Sequence, residues 1–99
     1  KPDIAKSYQL QRSRYLAVIN ISVLNNQTNK AMSLNVFGKA RNLLGQSTDL
    51  KFTKVTEENA VYYLAQLKYD NEEMFNFDIK VQQGDRVESI QFSKKFYVD

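Results

Sequence analysis

Apolar residues recur at every second position in five separate stretches of this chain, a period of two that marks half-buried β-strands rather than helices. The clearest is RYLAVINISVL, Arg14 to Leu24. There Tyr15, Ala17, Ile19, Ile21 and Val23 form an apolar face, while Leu16, Val18, Asn20, Ser22 and Leu24 make a mixed one. After the polar reversal Asn25 to Lys30, a second strand from Ala31 to about Leu44 turns Met32, Leu34, Val36, Gly38 and Ala40 one way and Ser33, Asn35, Phe37, Lys39 and Arg41 the other. Gly38 inside this pattern points to a bulge or to a close approach of another backbone. Leu43 and Leu44 break the alternation just before Gly45, so the strand is expected to bend or change sheet there, and Gly45 to Asp49 reads as a turn.

Leu50 and Phe52 open a short third strand reaching Glu57. A fourth, Val61 to Tyr69, sets Val61, Tyr63, Ala65, Leu67 and Tyr69 against Tyr62, Leu64, Gln66 and Lys68, and is expected to be central. A fifth places Phe75, Phe77, Ile79 and Val81 on its core face. The turn Gln83 to Arg86 leads to a last strand in which Ile90, Phe92, Phe96 and Val98 share parity and Lys94 interrupts it, as at a bulge or on a sheet edge. Only Pro2 to Gln11 reads as helix: Pro2 suits a first turn, Asp3 its positive end, and Ile4 and Tyr8 share a face.

These elements predict an all-β fold: an immunoglobulin-like antiparallel β-sandwich of about six to seven strands with a short N-terminal helix, in one domain over residues 1–99. If successive strands alternate in direction, the loops sort into two ends. Arg12 to Arg14, Gly45 to Asp49, Asp70 to Glu73 and the C-terminus gather at one, and the remaining turns at the other.

Composition narrows the chemistry. The chain has no Cys and no His, which removes thiolate and imidazole metal sites, Cys nucleophiles and Ser-His-Asp triads. No metal site, cofactor or catalytic set is expected. The two methionines are too few for a soft-metal site and read as core filling. The acidic pairs Glu57-Glu58 and Asp70-Glu73 flank the fourth strand, about 30 Å apart on an extended backbone, and read as solvated turn charges. No apolar stretch approaches the ~18 residues that span a bilayer. The net charge of +3 is spread along the chain. Lys39, Arg41, Lys51 and Lys54, with Phe37 beside them, are the alternative functional candidate, a basic strip for weak polyanion or nucleic-acid binding. On the outer face of the fourth strand, Tyr62 and Leu64 call for a cover or a partner.

The segments KARNLLGQSTDLKF (Lys39 to Phe52), AVYYLAQLKYDNEE (Ala60 to Glu73), FSKKFYV (Phe92 to Val98) and SYQLQRSRYLAVINISVL (Ser7 to Leu24) carry a resemblance over nearly the whole chain. They resemble domain of unknown function 4426, a family of small exported gammaproteobacterial proteins. The resemblance implies a periplasmic protein whose signal peptide has been removed, a β-rich fold and no established activity. Members carry a further β segment before PDIAKSY, so the likeness leaves one sheet edge here expected to be open to a strand from a neighbouring molecule. The most distinctive run is Arg41 to Gln46. Arg41, Asn42 and Gln46 are its candidate binding residues, and Gly45 is explained by the turn. The expectation is a non-enzymatic periplasmic sandwich that binds a protein or envelope component, or self-associates, through a sheet edge or the loop end at Gly45 to Asp49.

Overall fold

The computed structural model describes residues 15–24, 34–58 and 60–98. Within them the chain forms seven strands: β1 Leu16–Leu24, β2 Asn35–Asn42, β3 Ser47–Leu50, β4 Thr53–Glu57, β5 Ala60–Lys68, β6 Glu73–Gln83 and β7 Arg86–Phe96. The helix expected over residues 2–11 and the reversal over 25–30 lie outside the described residues.

Two antiparallel sheets result, one ordered β1-β5-β4 and the other β3-β2-β6-β7. Their inner faces meet in a single core. The smaller sheet contributes Ile19, Tyr63, Ala65 and Leu67; the larger contributes Val36, Ala40, Leu50, Phe75, Phe77 and Ile79. These are the alternate positions that the sequence pattern assigns inward, and β5 is central as expected. An aromatic cluster fastens β7 to this core. Phe77 stacks on Phe92 with ring centroids 4.6 Å apart, and Phe96 stacks on Tyr69 at 4.9 Å. Offset stacks of this kind add to the stabilisation that burial already gives.

Two expectations change. Gly45 to Asp49 is not all turn, because Ser47–Leu50 pairs with Gly38 to Arg41 as a short edge strand. Only Leu50 of it is buried, so its polar outer residues gave no alternation to read. The chain also does not change sheet at Leu43 and Leu44, where it simply reverses. It crosses between sheets at Lys51 and Phe52, splitting the stretch read as one strand into β3 and β4. Of the two readings of Lys94, a bulge or an edge position, the edge one holds: β7 is an edge strand whose register with β6 is unbroken from Arg86 to Phe96. Lys94 keeps inward parity opposite Phe75 and is exposed because β7 is an edge strand. Inward-pointing charges of this kind are a recognised way of blunting an edge.

Tyr63 is the core's one polar cost among the described residues. The residue is 4% exposed and its hydroxyl is buried without a hydrogen-bond partner. Burial pushes the phenol above its ordinary value of 10.0. The folded state therefore holds this proton more tightly than the unfolded chain, and stability is lost as pH rises beyond about 10. Tyr63→Phe removes the stranded hydroxyl. Chemical denaturation at pH 7 is expected to show a gain of about 1 kcal/mol, and melting curves from pH 9 to 11 a shallower alkaline decline than in the parent.

Candidate functional site

The conspicuous local construction lies at the loop end, where β2 turns into β3. Asn42, the last residue of β2, is 8% exposed, the only buried polar or charged residue among those described. Its amide nitrogen donates to Gln46 Oε1 at 2.8 Å and to Glu73 Oε2 at 3.0 Å. Its Oδ1 accepts from the backbone N–H groups of Leu44 at 3.0 Å and Gln46 at 2.9 Å. Two donors and two acceptor positions are all that an asparagine amide has. The Asn42 side chain is therefore saturated by the protein.

The backbone completes the turn: Gly45 N–H donates to Asn42 O, and Asn42 N–H to Gln46 O, both at 3.0 Å. Leu43, Leu44 and Gly45 thus form a three-residue hairpin loop. Its third position takes a left-handed conformation, with Gly45 at φ 85°, as such loops require. A saturated buried asparagine and a left-handed glycine leave the two central side chains nowhere to go but outward. Leu43 is 77% exposed and Leu44 85%.

Neighbouring segments tie into this turn. Glu73, whose Oε2 accepts from Asn42, uses Oε1 to accept the N–H of Asp70 and so braces the β5–β6 turn. Asn71 in that turn accepts the N–H of Val98 at 2.8 Å, and Tyr69 N–H donates to Tyr15 O at 2.8 Å. Exposed Tyr15 and Tyr97 therefore share this end with the two leucines. The sequence reading that gathered the β2–β3 turn, residues 70–73 and the C-terminal stretch at one end describes this arrangement.

The candidate residues separate by role. Gln46 holds the turn together with Asn42. Arg41 points the other way, onto the outer face of the larger sheet. There it lines an open hollow of about 480 Å³ with Lys39, Ser47, Asn76, Asp78 and Gln91 among its walls. Lys39 has Asp49 and Asp78 as its cross-strand neighbours, whereas Arg41 has Ser47 and Asn76. The basic strip does not assemble: Lys39 and Arg41 lie together on β2, Lys51 lies in the crossing between sheets, and Lys54 lies on β4 opposite Tyr63 in the other sheet. Among the described residues no three His, Cys, Asp or Glu side chains gather as a metal-ligand group, and no helix is long and apolar enough to cross a membrane.

Across its full length, residues 1–99, the chain matches the family model described as a domain of unknown function, DUF4426. The chain belongs to the DUF4426 family. A DUF4426 family protein from Pseudomonas aeruginosa PAO1, known from a crystal structure at 2.09 Å resolution, is 33% identical to it. The two superpose with a TM-score of 0.74, over 100% of this chain and 79% of that one. No curated protein matches this DUF4426 chain.

Leu43 and Leu44, read from the sequence only as a break in alternation, are the residues left out of the candidate set. Two leucines in succession cannot both follow a strand's alternation, and an asparagine two and four residues before the N–H groups it caps is a known turn device. The string Asn-Leu-Leu-Gly-Gln of this DUF4426 chain carries that signal. Glu73 gave none, because its partner Asn42 lies 31 residues away in sequence.

Proposed function

We propose that this chain is a non-enzymatic exported protein of the periplasm, a sandwich of immunoglobulin type that binds a protein or another envelope component through its loop end. The observation that carries the reading is the pair of leucines, 77% and 85% exposed, on a turn whose geometry is fixed from within by Asn42. A turn backbone already fixed from within lets its exposed apolar side chains bring contact area to a partner without the cost of ordering the loop, which is how preorganised loops gain affinity. The strand orders β1-β5-β4 and β3-β2-β6-β7 fit the immunoglobulin arrangement in which strands B, E and D face C, F and G with one more strand beside C. The periplasmic setting rests on the export that the sequence resemblance implies.

A photo-crosslinking residue at position 44, in the full-length precursor expressed in the native bacterium, tests the reading. A discrete adduct is expected from the osmotic-shock fraction, together with its loss when Leu43→Ser is added and no adduct from position 88 near the other end. Leu43→Ser is expected to leave stability within about 0.5 kcal/mol, because its side chain is solvent-exposed. An absent adduct, or one that survives Leu43→Ser, would sink the proposal.

A further inference from the structure

The outer face of the larger sheet carries two polar rows that the core does not use. Across the strands, one row runs Ser47, Arg41, Asn76 and Ser93, and the next, two residues along, runs Asp49, Lys39, Asp78 and Gln91. Every one of these residues is exposed, and all but Asp49 line the hollow of about 480 Å³. Their hydrogen-bonding capacity is unevenly spent. Ser93 Oγ donates to Asn76 Oδ1, which uses the acceptor of that amide and leaves its NH₂ to donate elsewhere. Asp78 Oδ1 is held by Lys80 Nζ at 3.2 Å, and Lys80 also donates to Ser89 Oγ at 2.8 Å. The one carboxylate in the lining is therefore paired with a lysine outside it. Among the described residues, neither Arg41 nor Lys39 has an ion pair or a hydrogen bond through its side chain, and Asp49, the other cross-strand neighbour of Lys39, is no exception.

We propose that this hollow binds a small sugar acid, a carboxylate or phosphate ester carried on a hydroxyl-rich ring. Arg41 takes the oxyanion. Its planar fork of N–H donors, with no acceptor of its own, matches carboxylate and phosphate geometry as an ammonium cannot. Ser47 and Asn76, directly opposite Arg41 on the two flanking strands, add neutral donors to the same group. Lys39, about 7 Å along β2, supplies a second positive charge. A lone carboxylate or phosphate would fill only part of the hollow, and beyond Arg41 the chemistry changes. There Asp78 Oδ2 is left to accept, and the Gln91 amide both donates and accepts, which is the combination that sugar hydroxyls require. Free cationic donors in one row and mixed polar groups in the next thus select an acid bearing hydroxyls over either a neutral sugar or a simple anion. None of these residues belongs to the surface formed by Leu43 and Leu44, so the two sites stand or fall separately.

NMR titrations of the isotope-labelled full chain at low ionic strength, with glucuronate, glucose-6-phosphate, glucose and inorganic phosphate as probes, test the site over concentrations up to about 50 mM. At least one of the two sugar acids is expected to shift the Arg41 Nε–H and Asn76 side-chain signals saturably, with a dissociation constant of about 1 mM. Glucose and inorganic phosphate should each bind about tenfold more weakly, since each lacks half of the matched groups. The tighter of the two acids identifies the oxyanion as carboxylate or phosphate. Arg41→Gln is expected to weaken that acid about tenfold and Gln91→Ala about threefold, as the loss of a charged and of a neutral hydrogen bond. Lys54→Gln removes a charge from the other sheet and should leave the affinity unchanged. All three positions are exposed, so the remaining signals of each variant should overlay those of the parent. No saturable shift with either acid, equal binding of glucose or of inorganic phosphate, or equal losses from Arg41→Gln and Lys54→Gln would overturn the proposal.

Discussion

Gly38→Ala will cost the fold about 3 kcal/mol or more, the largest loss expected of any single methyl group added to this chain. Gly38 lies mid-strand in β2, paired with Ile79 of β6 on one side and Leu50 of β3 on the other. A Cβ built on it would sit 2.5 Å from the backbone oxygen of Asp78 and 2.8 Å from the Cα of Ile79. Both are main-chain atoms of the strand through the middle of the larger sheet, so no side-chain rotation relieves the clash. Overpacking ordinarily costs about 1–3 kcal/mol, and a collision with backbone belongs at or beyond the top of that range. Against a stability of about 5–15 kcal/mol for a domain of this size, that is a large share. Urea unfolding followed by circular dichroism should show the midpoint falling with the m-value unchanged. Gly45→Ala is the contrast. No atom lies within 4 Å of its added methyl group, and only the positive φ of 85° opposes it, so its cost should stay near 1 kcal/mol.

Asn42→Ala is expected to cost about 2–4 kcal/mol and to loosen the loop end selectively. The truncation strands the N–H groups of Leu44 and Gln46 and removes a donor from the Glu73 carboxylate. Each polar group left unsatisfied away from water costs on the order of 1–3 kcal/mol, although at this site partial exposure lets water recover some of it. The turn sits at the surface, so the loss should appear locally first. Amide hydrogen exchange at Leu44, Gln46 and Asp70 is expected to accelerate well before that of Phe77 or Ile79 in the core. Equal acceleration everywhere would mean that Asn42 serves the fold as a whole rather than the turn.

Gly38 and Asn42 also show where the sequence speaks and where it is silent. A glycine in an otherwise clean alternation announces that something comes close, and the structure supplies the backbone of Asp78 and Ile79. The inward sets of β5 and β6 are equally readable, because a residue facing the core must be apolar whichever strand it meets. Pairing partners are another matter. Nothing in LAVINISVL says that it lies beside β5, since many apolar strands would suit it equally. β3 was hidden because an edge strand with one buried residue has almost no pattern. The candidate site was half legible: the run Arg41 to Gln46 stands out, but its chemistry reverses on inspection. The polar residues Asn42 and Gln46 face their own protein, and the leucines between them face solvent.

The stitching of Val98 to Asn71 has a practical consequence for anyone labelling the molecule. A fluorophore or affinity tag appended after Val98 would emerge at the same end of the fold as Leu43 and Leu44, where a bulky one would crowd whatever docks there. The hairpin turn at Gly84 and Asp85, between β6 and β7, offers an attachment point remote from that end.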